Sequence, residues 1–157
     1  MSTHAKLSPS GAYRYLACPG SVREEAKYPE PPSGPGAVDG THSHTLLETC
    51  LKSGMSADLM IGATMTDHDG TFTVDKERAA RVQVAVDYVT KRLHVEIGGT
   101  VLTESRVSPA HFIGRTDMDG TVDIQIRSGS VLEIIDYKDG MNPVEAKDNP
   151  QLELYAL

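Results

Sequence analysis

The feature that most constrains the fold is a long amphipathic segment followed by three segments in which apolar and polar residues alternate. Apolar residues recur at spacings of three and four from Ala79 to Leu93, and Asp75, which precedes them, is a residue type that caps helices. A long helix is therefore predicted, ending before Gly98 and Gly99. Alternation with a period of two is typical of half-buried strands. The predicted strands cover residues 100–107, 120–127 and 131–138.

Capping residues, turn residues and clusters of Pro and Gly predict the rest of the secondary structure. The chain before the second helix is rich in Pro and Gly, so we expect a loop without regular structure there. The further predicted elements are a short helix from Ser8 or Ser10 to Ala17, the loop over 29–36, a helix from Thr41 to Gly54, a hairpin over 63–74 with Asp69-Gly70 at its turn, and a helix that starts at Pro150 and is capped by Asn149.

Length and composition fit one domain over residues 1–157. The chain has 157 residues, of which 39% are hydrophobic and 24% charged, and it contains no repeats, so a single α/β or α+β domain is the simplest prediction. No apolar run reaches the roughly 20 residues of a membrane span, and the two cysteines make no disulfide framework. We therefore expect a cytoplasmic protein with no membrane partner. The sequence stops about two turns into its last helix, which leaves a C-terminal truncation open.

The formal net charge of -7 disfavours a protein that coats nucleic acid through clustered Lys and Arg. This charge does not exclude a nuclease. Carboxylates that hold a divalent cation count as negative, yet they attract phosphate once the cation is bound.

The last two predicted strands carry the acidic residues that indicate chemistry. Asp136 and Lys138 are two residues apart and therefore share one face of their strand. If residues 128–129 form the hairpin loop, Asp123 lies diagonal to Asp136 on that face. Two carboxylates and an ammonium group are what metal-assisted phosphodiester hydrolysis requires, because the acids hold the cation and the lysine aligns or deprotonates the attacking water. The alternative is a modest exposed salt bridge between Asp136 and Lys138.

Five motifs follow one another along the chain: Leu7-Ser-Pro-Ser to Cys18-Pro19, Gly40-x-x-x-His44-x-x-x-Glu48, Gly120-x-x-Asp123, Asp136-x-Lys138 and Gln151-x-x-x-Tyr155. In this order they resemble the PD-(D/E)XK nuclease superfamily in its RecB-like branch. The stretch from Ile134 to Gly140 and the one from Asp148 to the last residue are especially similar to a group of phage and prophage proteins assigned to that superfamily. The resemblance extends over almost the whole chain.

The resemblance implies a restriction-endonuclease-like core, in which helices flank a central mixed sheet and a β-hairpin carries the acidic motif. It implies a DNA nuclease, exonuclease-like and dependent on Mg²⁺ or Mn²⁺, that serves phage or prophage recombination or DNA processing. The implied location is the cytoplasm of a bacterial host cell. DNA is the expected partner, and a second copy of the chain or a phage recombination protein is left open as another.

The resemblance also assigns roles to individual residues. The metal ligands that it implies are His44, Asp123, Asp136 and the backbone carbonyl of Tyr137. Lys138 is expected to position or activate the attacking water.

Three further residues are expected to support this site. Gln151 and Tyr155 lie four apart on one helical face, and the resemblance makes them supports for the active site or the scissile strand. Ordinary helix packing explains Tyr155 equally well. Glu48, one turn after His44, is expected to orient that histidine or the lysine, or to be a solvated helix residue.

Several residues compete with these assignments. Asp117 also follows a glycine by three residues and is the rival of Asp123, which we prefer because the hairpin gives it a facing partner. Glu104 either joins the acidic cluster or lies on an exposed strand face. His42 is expected to point away from the site, since residues two apart on a helix face different directions. Cys18 is expected to be a buried free thiol.

Two other functional classes remain open. The first is a nuclease fold that has lost activity and binds DNA or protein. The second is a truncated, non-catalytic domain of a larger assembly. The presence of both Asp136 and Lys138 argues against the first, because binding alone does not require two carboxylates beside a lysine.

Overall fold

The computed structural model describes residues 7–29, 31–97, 99–140 and 144–157, which form an α+β structure. Its helices are α1 (Ala12–Ala17), α2 (Ser21–Glu25), α3 (Pro35–Ser53), α4 (Lys76–Lys91), α5 (Ala110–Ile113) and α6 (Pro150–Tyr155). Its strands are β1 (Thr64–Asp67), β2 (Gly70–Thr73), β3 (Thr100–Val107), β4 (Gly120–Ser128) and β5 (Val131–Ile135). Pro9–Gly11 and Ala57–Met60 are 3₁₀ turns, and Arg92–Ile97 extends α4 as a π-helix. Within these ranges, no helix combines the length and the apolar character needed to cross a membrane.

The strands of the described ranges form two antiparallel sheets. β1 pairs with β2, and β4 lies between β3 and β5 in a sheet of three strands. The prediction of a mixed central sheet is therefore wrong for this part of the chain. The physical reason is that a tight hairpin joins β4 to β5, and the connection from β3 to β4 contains only the one-turn helix α5, which returns the chain antiparallel rather than crossing over the sheet.

The β4–β5 loop consists of Gly129 and Ser130, one residue later than predicted. Gly129 has a φ of 56°, the left-handed conformation that two-residue hairpin loops require at their first position. The register therefore differs from the prediction by two residues, and a shift of two keeps every side chain on its face. Asp123 still shares a face with Asp136, but extension of the register places them directly across from each other. β5 ends at Ile135, earlier than predicted.

The main core lies between α3, α4 and one face of the larger sheet. The predicted helix α4 is confirmed, and Asp75 caps it by accepting a 2.7 Å hydrogen bond from the Arg78 N–H. Each core-facing position of these elements adds apolar area that is removed from water. The most deeply buried core residues that α3, α4 and β4 contribute are Leu46, Leu47, Cys50, Ala79, Val82, Val89, Ile124 and Ile126.

Helix α3 starts at Pro35 rather than at Thr41, so the predicted loop over 29–36 is shorter than expected. Proline is favoured at the first helical position because its missing N–H is not needed there. The predicted end is confirmed, since Gly54 adopts a φ of 70° and its N–H donates to the Cys50 carbonyl.

The predicted helices at the two ends of the chain occur where expected, including the Asn149 cap, whereas α2 and α5 were not predicted. The predicted β1–β2 hairpin also occurs, but its loop consists of His68 and Asp69, one residue earlier than the predicted Asp69-Gly70 turn, because Asp67 pairs with Gly70.

Gly120, the first residue of β4, lies where the two ends of the described chain meet. A Cβ atom at this position would lie 2.8 Å from Pro9 Cδ and 3.0 Å from Tyr155 Cε1. Because real Cβ atoms do not approach other atoms so closely, only glycine allows the N-terminal 3₁₀ turn, β4 and α6 to pack together here.

Candidate active site

An open cavity of about 500 Å³ lies between the first half of α3, the tip of the β1–β2 hairpin and the segment after β5. On the α3 side its wall consists of residues at helical spacing, Ala37, Gly40, Thr41 and His44. The remaining wall includes the ionisable residues His68, Glu104, Asp123, Lys138 and Asp139.

Helix α3 and strand β4 bring His44 and Asp123 together in this cavity. His44 Nδ1 lies 3.6 Å from Asp123 Oδ2, and the imidazole meets the Tyr137 ring edge-on, with ring centres 5.3 Å apart. The Tyr137 backbone N–H donates a 2.7 Å hydrogen bond to the same Asp123 oxygen. One carboxylate therefore ties the segment after β5 to the central strand.

Glu104 joins this pair, so it belongs to the acidic cluster. The β3–β4 pairs on either side of it place Glu104 across from Asp123, and its φ of 47° departs from strand geometry. One ligand atom from each of His44, Glu104 and Asp123 lies within 4.8 Å of the other two. Two carboxylates and one imidazole thus converge at the cavity.

The two carboxylates of this cluster repel each other. Burial raises the pKa of Asp123, against the opposing effect of His44. Burial and the charges of Asp123 and Glu48 raise the pKa of Glu104 to about 7. Neighbouring acids disfavour each other's ionised forms, and a cation between them removes that penalty. Oxygen donors with one imidazole suit a divalent ion of the Mg²⁺ or Mn²⁺ type.

Both carboxylate oxygens of Asp136 have partners within the protein. Lys138 Nζ lies 2.6 Å from Oδ2, and Gln151 Nε2 donates a 2.8 Å hydrogen bond to Oδ1. The prediction that Asp136 and Lys138 share one side is confirmed. In the described ranges, however, the group of mutually close ligand atoms contains Glu104 and not Asp136.

Helix α6 supports the site through Gln151 and packs behind it through Tyr155. Gln151 holds the Asp136 carboxylate directly. Tyr155 is buried, with 7% of its surface exposed, and burial raises the pKa of its hydroxyl. The two residues lie on one helical face as predicted.

Glu48 lies beside the cluster, on a small hollow that His44, Glu104 and Asp123 also line, whereas Asp117 and Cys18 do not line it. Glu48 forms an ion pair with Lys52, and its charge acts on Glu104 rather than orienting a histidine. Asp117, the rival of Asp123, is bound by Arg115 through hydrogen bonds of 2.8 and 2.7 Å. The prediction that Cys18 is buried is wrong, because it follows the last turn of α1 at the surface.

His42 points away from the cavity, as predicted. Its Nδ1 lies 2.7 Å from Asp67 Oδ2, which also accepts a 3.2 Å hydrogen bond from the Thr45 hydroxyl, while the N–H groups of residues 69–70 donate to the other oxygen. The ring stacks on Phe72 with centres 4.1 Å apart. Burial opposes the shift, but the hydrogen bonds from His42 and the backbone lower the pKa of Asp67.

Sequence reasoning missed Asp139 and its partner Arg81. The Asp139 side chain is 6% exposed and accepts a 2.7 Å hydrogen bond from Arg81 Nε. Burial opposes the shift, but the guanidinium lowers the pKa of Asp139. The two residues lie 58 positions apart, and the only signal was a second acid directly after the Asp136-x-Lys138 motif.

The fold and the cavity define an α+β protein with a candidate metal centre formed by a helical histidine and two strand-borne acids. The chain belongs to the family described as "Protein of unknown function (DUF2800)", whose model matches residues 4–157. No solved structure matches the chain.

Proposed function

We propose that the chain is a deoxyribonuclease of the PD-(D/E)XK superfamily, RecB-like branch, that depends on Mg²⁺ or Mn²⁺. The observation that carries the proposal is the convergence of His44, Glu104 and Asp123 on one cavity, with the Asp136–Lys138 pair beside it. The order of the motifs along the sequence supports the same class.

The residues present fit a divalent cation. His44, Glu104 and Asp123 offer an imidazole nitrogen and carboxylate oxygens, and burial together with neighbouring acids raises the pKa values of both carboxyls, an unfavourable state of the charged forms that a cation relieves. Asp136 and the Tyr137 carbonyl are the further ligands that the motif resemblance suggests. When bound, the ion would neutralise the scissile phosphate and acidify a water molecule.

Lys138 has the position needed to act on that water. It lines the cavity, and its ammonium group is held by Asp136, which Gln151 holds in turn. From there the Lys138 amine aligns the water oxygen that attacks phosphorus. One P–O ester bond breaks, the water gives up a proton to solvent, and the leaving oxygen gains one.

The shape of the cavity supports a nucleotide unit of a DNA strand as the bound group. Its volume of about 500 Å³ lies within the usual range of ligand sites, about 300–1,000 Å³. Small residues on the α3 wall leave room for a strand. The similarity of the motifs to phage and prophage proteins supports a role in phage recombination or DNA processing in a bacterial cytoplasm, with a second copy or a recombination protein as partner.

Cleavage assays test the catalytic site. Linear and circular DNA are incubated with the protein and Mg²⁺, Mn²⁺ or EDTA, beside Asp123→Asn and Lys138→Ala. We expect cleavage that needs metal and is lost in both variants. Asp67→Asn is the matched control, because Asp67 also pairs with a histidine of α3 but lies outside the cavity wall described above. Metal-dependent cleavage that survives both cavity substitutions contradicts the proposal.

A pair of glycine substitutions on α3 tests where the DNA lies. Gly36 and Gly40 are both helical, and an added Cβ meets nothing within 4 Å at either position. Of the two, Gly40 is the one that lines the cavity. We expect Gly40→Leu to raise the KM for DNA while Gly36→Leu leaves it unchanged. Equal KM values for the two variants contradict this placement.

A catalytically inactive module that binds DNA or protein is the second candidate. It is favoured by the Asp136–Lys138 ion pair, which satisfies both groups within the chain. Titration calorimetry with Mn²⁺ separates the two functions, because the nuclease proposal requires Mn²⁺ binding that Asp123→Asn weakens. DNA binding without metal binding or cleavage favours the inactive module, or a non-catalytic domain of a larger assembly.

A further inference from the structure

The segment that carries Lys138 lies outside regular secondary structure. β5 ends at Ile135, and residues 136–139 have neither strand nor helix geometry. On one side of Lys138, Asp123 accepts a hydrogen bond from the Tyr137 N–H. A second anchor on the other side would fix the backbone from which the lysine extends.

We infer that Arg81 of α4 is a positioning residue that holds this segment through Asp139. Arg81 Nε donates a 2.7 Å hydrogen bond to Asp139 Oδ1, and Asp139 directly follows Lys138. The Asp139 side chain is 6% exposed, and Arg81 is the charged group that binds it directly, while Ser43 and the charge of Arg78 also favour its ionised form. The inference rests on the proposed function, since it concerns the same site.

Arg81 also reaches the other half of the site. Its Nη2 donates a 2.9 Å hydrogen bond to Asp39 Oδ2, and Asp39 lies on α3, the helix that bears His44. Arg78, also on α4, binds the second oxygen of Asp39. One guanidinium therefore joins α3, α4 and the Lys138 segment, so it sets the distance between the histidine side and the lysine side of the cavity.

Loss of Arg81 would leave a buried carboxylate without its ion-pair partner, which is unfavourable. We expect Asp139 to relieve this by moving toward water, and the adjacent Lys138 then moves with it. A displacement of about 1 Å at a reacting group costs on the order of 10²-fold in rate. Metal ligation by residues on α3, β3 and β4 is less affected, because Arg78 still binds Asp39 and keeps α3 on α4.

The test compares Arg81→Met with Arg92→Met in the full chain. Arg92 makes a similar two-point ion pair with Glu133, at 2.7 and 2.6 Å, and links the π-helical extension of α4 to β5. We expect Arg81→Met to lower kcat for DNA cleavage by about 10²-fold with little change in KM or Mn²⁺ affinity. Arg92→Met should lower stability while kcat is retained. An unchanged kcat in Arg81→Met, or an equal loss in Arg92→Met, overturns the inference.

Hydrogen exchange of the Tyr137 amide provides a readout that does not depend on activity. We expect faster exchange in Arg81→Met and unchanged exchange in Arg92→Met, because only the former releases the segment. Asp139→Asn added to Arg81→Met should restore part of the protection by removing the buried charge. If the wild-type chain binds no Mn²⁺ and cleaves no DNA, the proposed function fails, whereas unchanged Tyr137 exchange in Arg81→Met rejects the positioning role itself.

Discussion

Two aspartate–histidine pairs, built from histidines two residues apart on α3, have opposite surroundings. The His42–Asp67 pair joins α3 to the end of β1, and the Asp67 carboxylate also accepts hydrogen bonds from the Thr45 hydroxyl and from the backbone. The His44–Asp123 pair faces the cavity at 3.6 Å, with Glu104 as an acidic neighbour. The pKa of Asp67 is lowered, whereas that of Asp123 is raised.

The difference separates a structural carboxylate from a functional one. Asp67 is stabilised in its ionised form by donors that the fold supplies, so the pair needs nothing further. For Asp123 and Glu104, burial and neighbouring acids outweigh the opposing effects of His44 and Lys52, so the pKa of each carboxyl stays raised. Acidic residues with shifted pKa values that line a cavity are for this reason candidates for a catalytic or metal-binding role.

The largest expected effect is on catalysis. Asp123→Asn should lower DNA cleavage by more than about 10²-fold, since even the loss of groups that merely orient metal ligands costs about 10–100-fold. Asp67→Asn should retain cleavage at temperatures where the variant is folded. Steady-state rates of the two variants measure the contrast, and equal losses would show that the two carboxylates are not functionally different.

The next effect is on stability in the presence of metal. A ligand at 100 times its Kd stabilises the folded state by about 2.7 kcal/mol. Mn²⁺ should therefore raise the melting temperature of the wild type and of Asp67→Asn, but not that of Asp123→Asn. Calorimetric scans with Mn²⁺ or EDTA give the measurement. A Mn²⁺-dependent increase that survives in Asp123→Asn argues against the cavity as the metal centre.

The order of the two variants should be reversed for the stability of the metal-free protein: Asp67→Asn should lower the free energy of unfolding by denaturant more than Asp123→Asn does. Hydrogen bonds to a buried charged group contribute about 1.5–3 kcal/mol, so we expect a loss of about 2 kcal/mol in the free energy of unfolding. Asp123→Asn should cost less, because it also removes a repulsion. The exposed residue Asp58 supplies the control, and Asp58→Asn should change the free energy of unfolding very little.

The smallest expected effect is the pH dependence of the metal-free protein. The folded state raises the pKa of Glu104 from 4.5 to about 7, so it holds this proton more tightly than the unfolded chain does. The resulting stabilisation is fully present below pH 4.5 and is lost as the pH rises through about 7. Denaturant unfolding in EDTA should show this decline in the wild type, with a flatter profile in Glu104→Gln. Parallel profiles would mean that Glu104 does not titrate differently on folding.

Local chemistry made much of the scaffold predictable. The Asp75 cap and the spacing of three and four predicted α4, and alternation predicted the bounds of β3. Pro35 as a first helical residue was a readable signal that the prediction did not use. The hairpin register was harder to predict. Gly129 can form the two-residue loop with either Ser128 or Ser130, and only the pairing along both strands decides between the two loops.

The site required the fold. Asp136 and Lys138 are close because they are two residues apart in the chain and form an ion pair, but His44 meets Asp123 only through the packing of α3. Glu104 enters the cluster with a φ that strand patterning does not anticipate. The Arg81–Asp139 contact joins residues with no shared periodicity, so no pattern in the sequence could have predicted it.

Gly120, the first residue of β4, shows that two residues of one motif can be required for unrelated physical reasons. Asp123 is needed for its charge, whereas Gly120 is needed because it has no side chain. A methyl group at Gly120 would force the N-terminal 3₁₀ turn and α6 away from β4. Gly120→Ala should thus loosen the packing of Tyr155 while all the acidic residues of the cavity are retained. A sequence pattern that requires both Gly120 and Asp123 therefore describes the packing of the two chain ends against β4 as well as the acidic residue of the site.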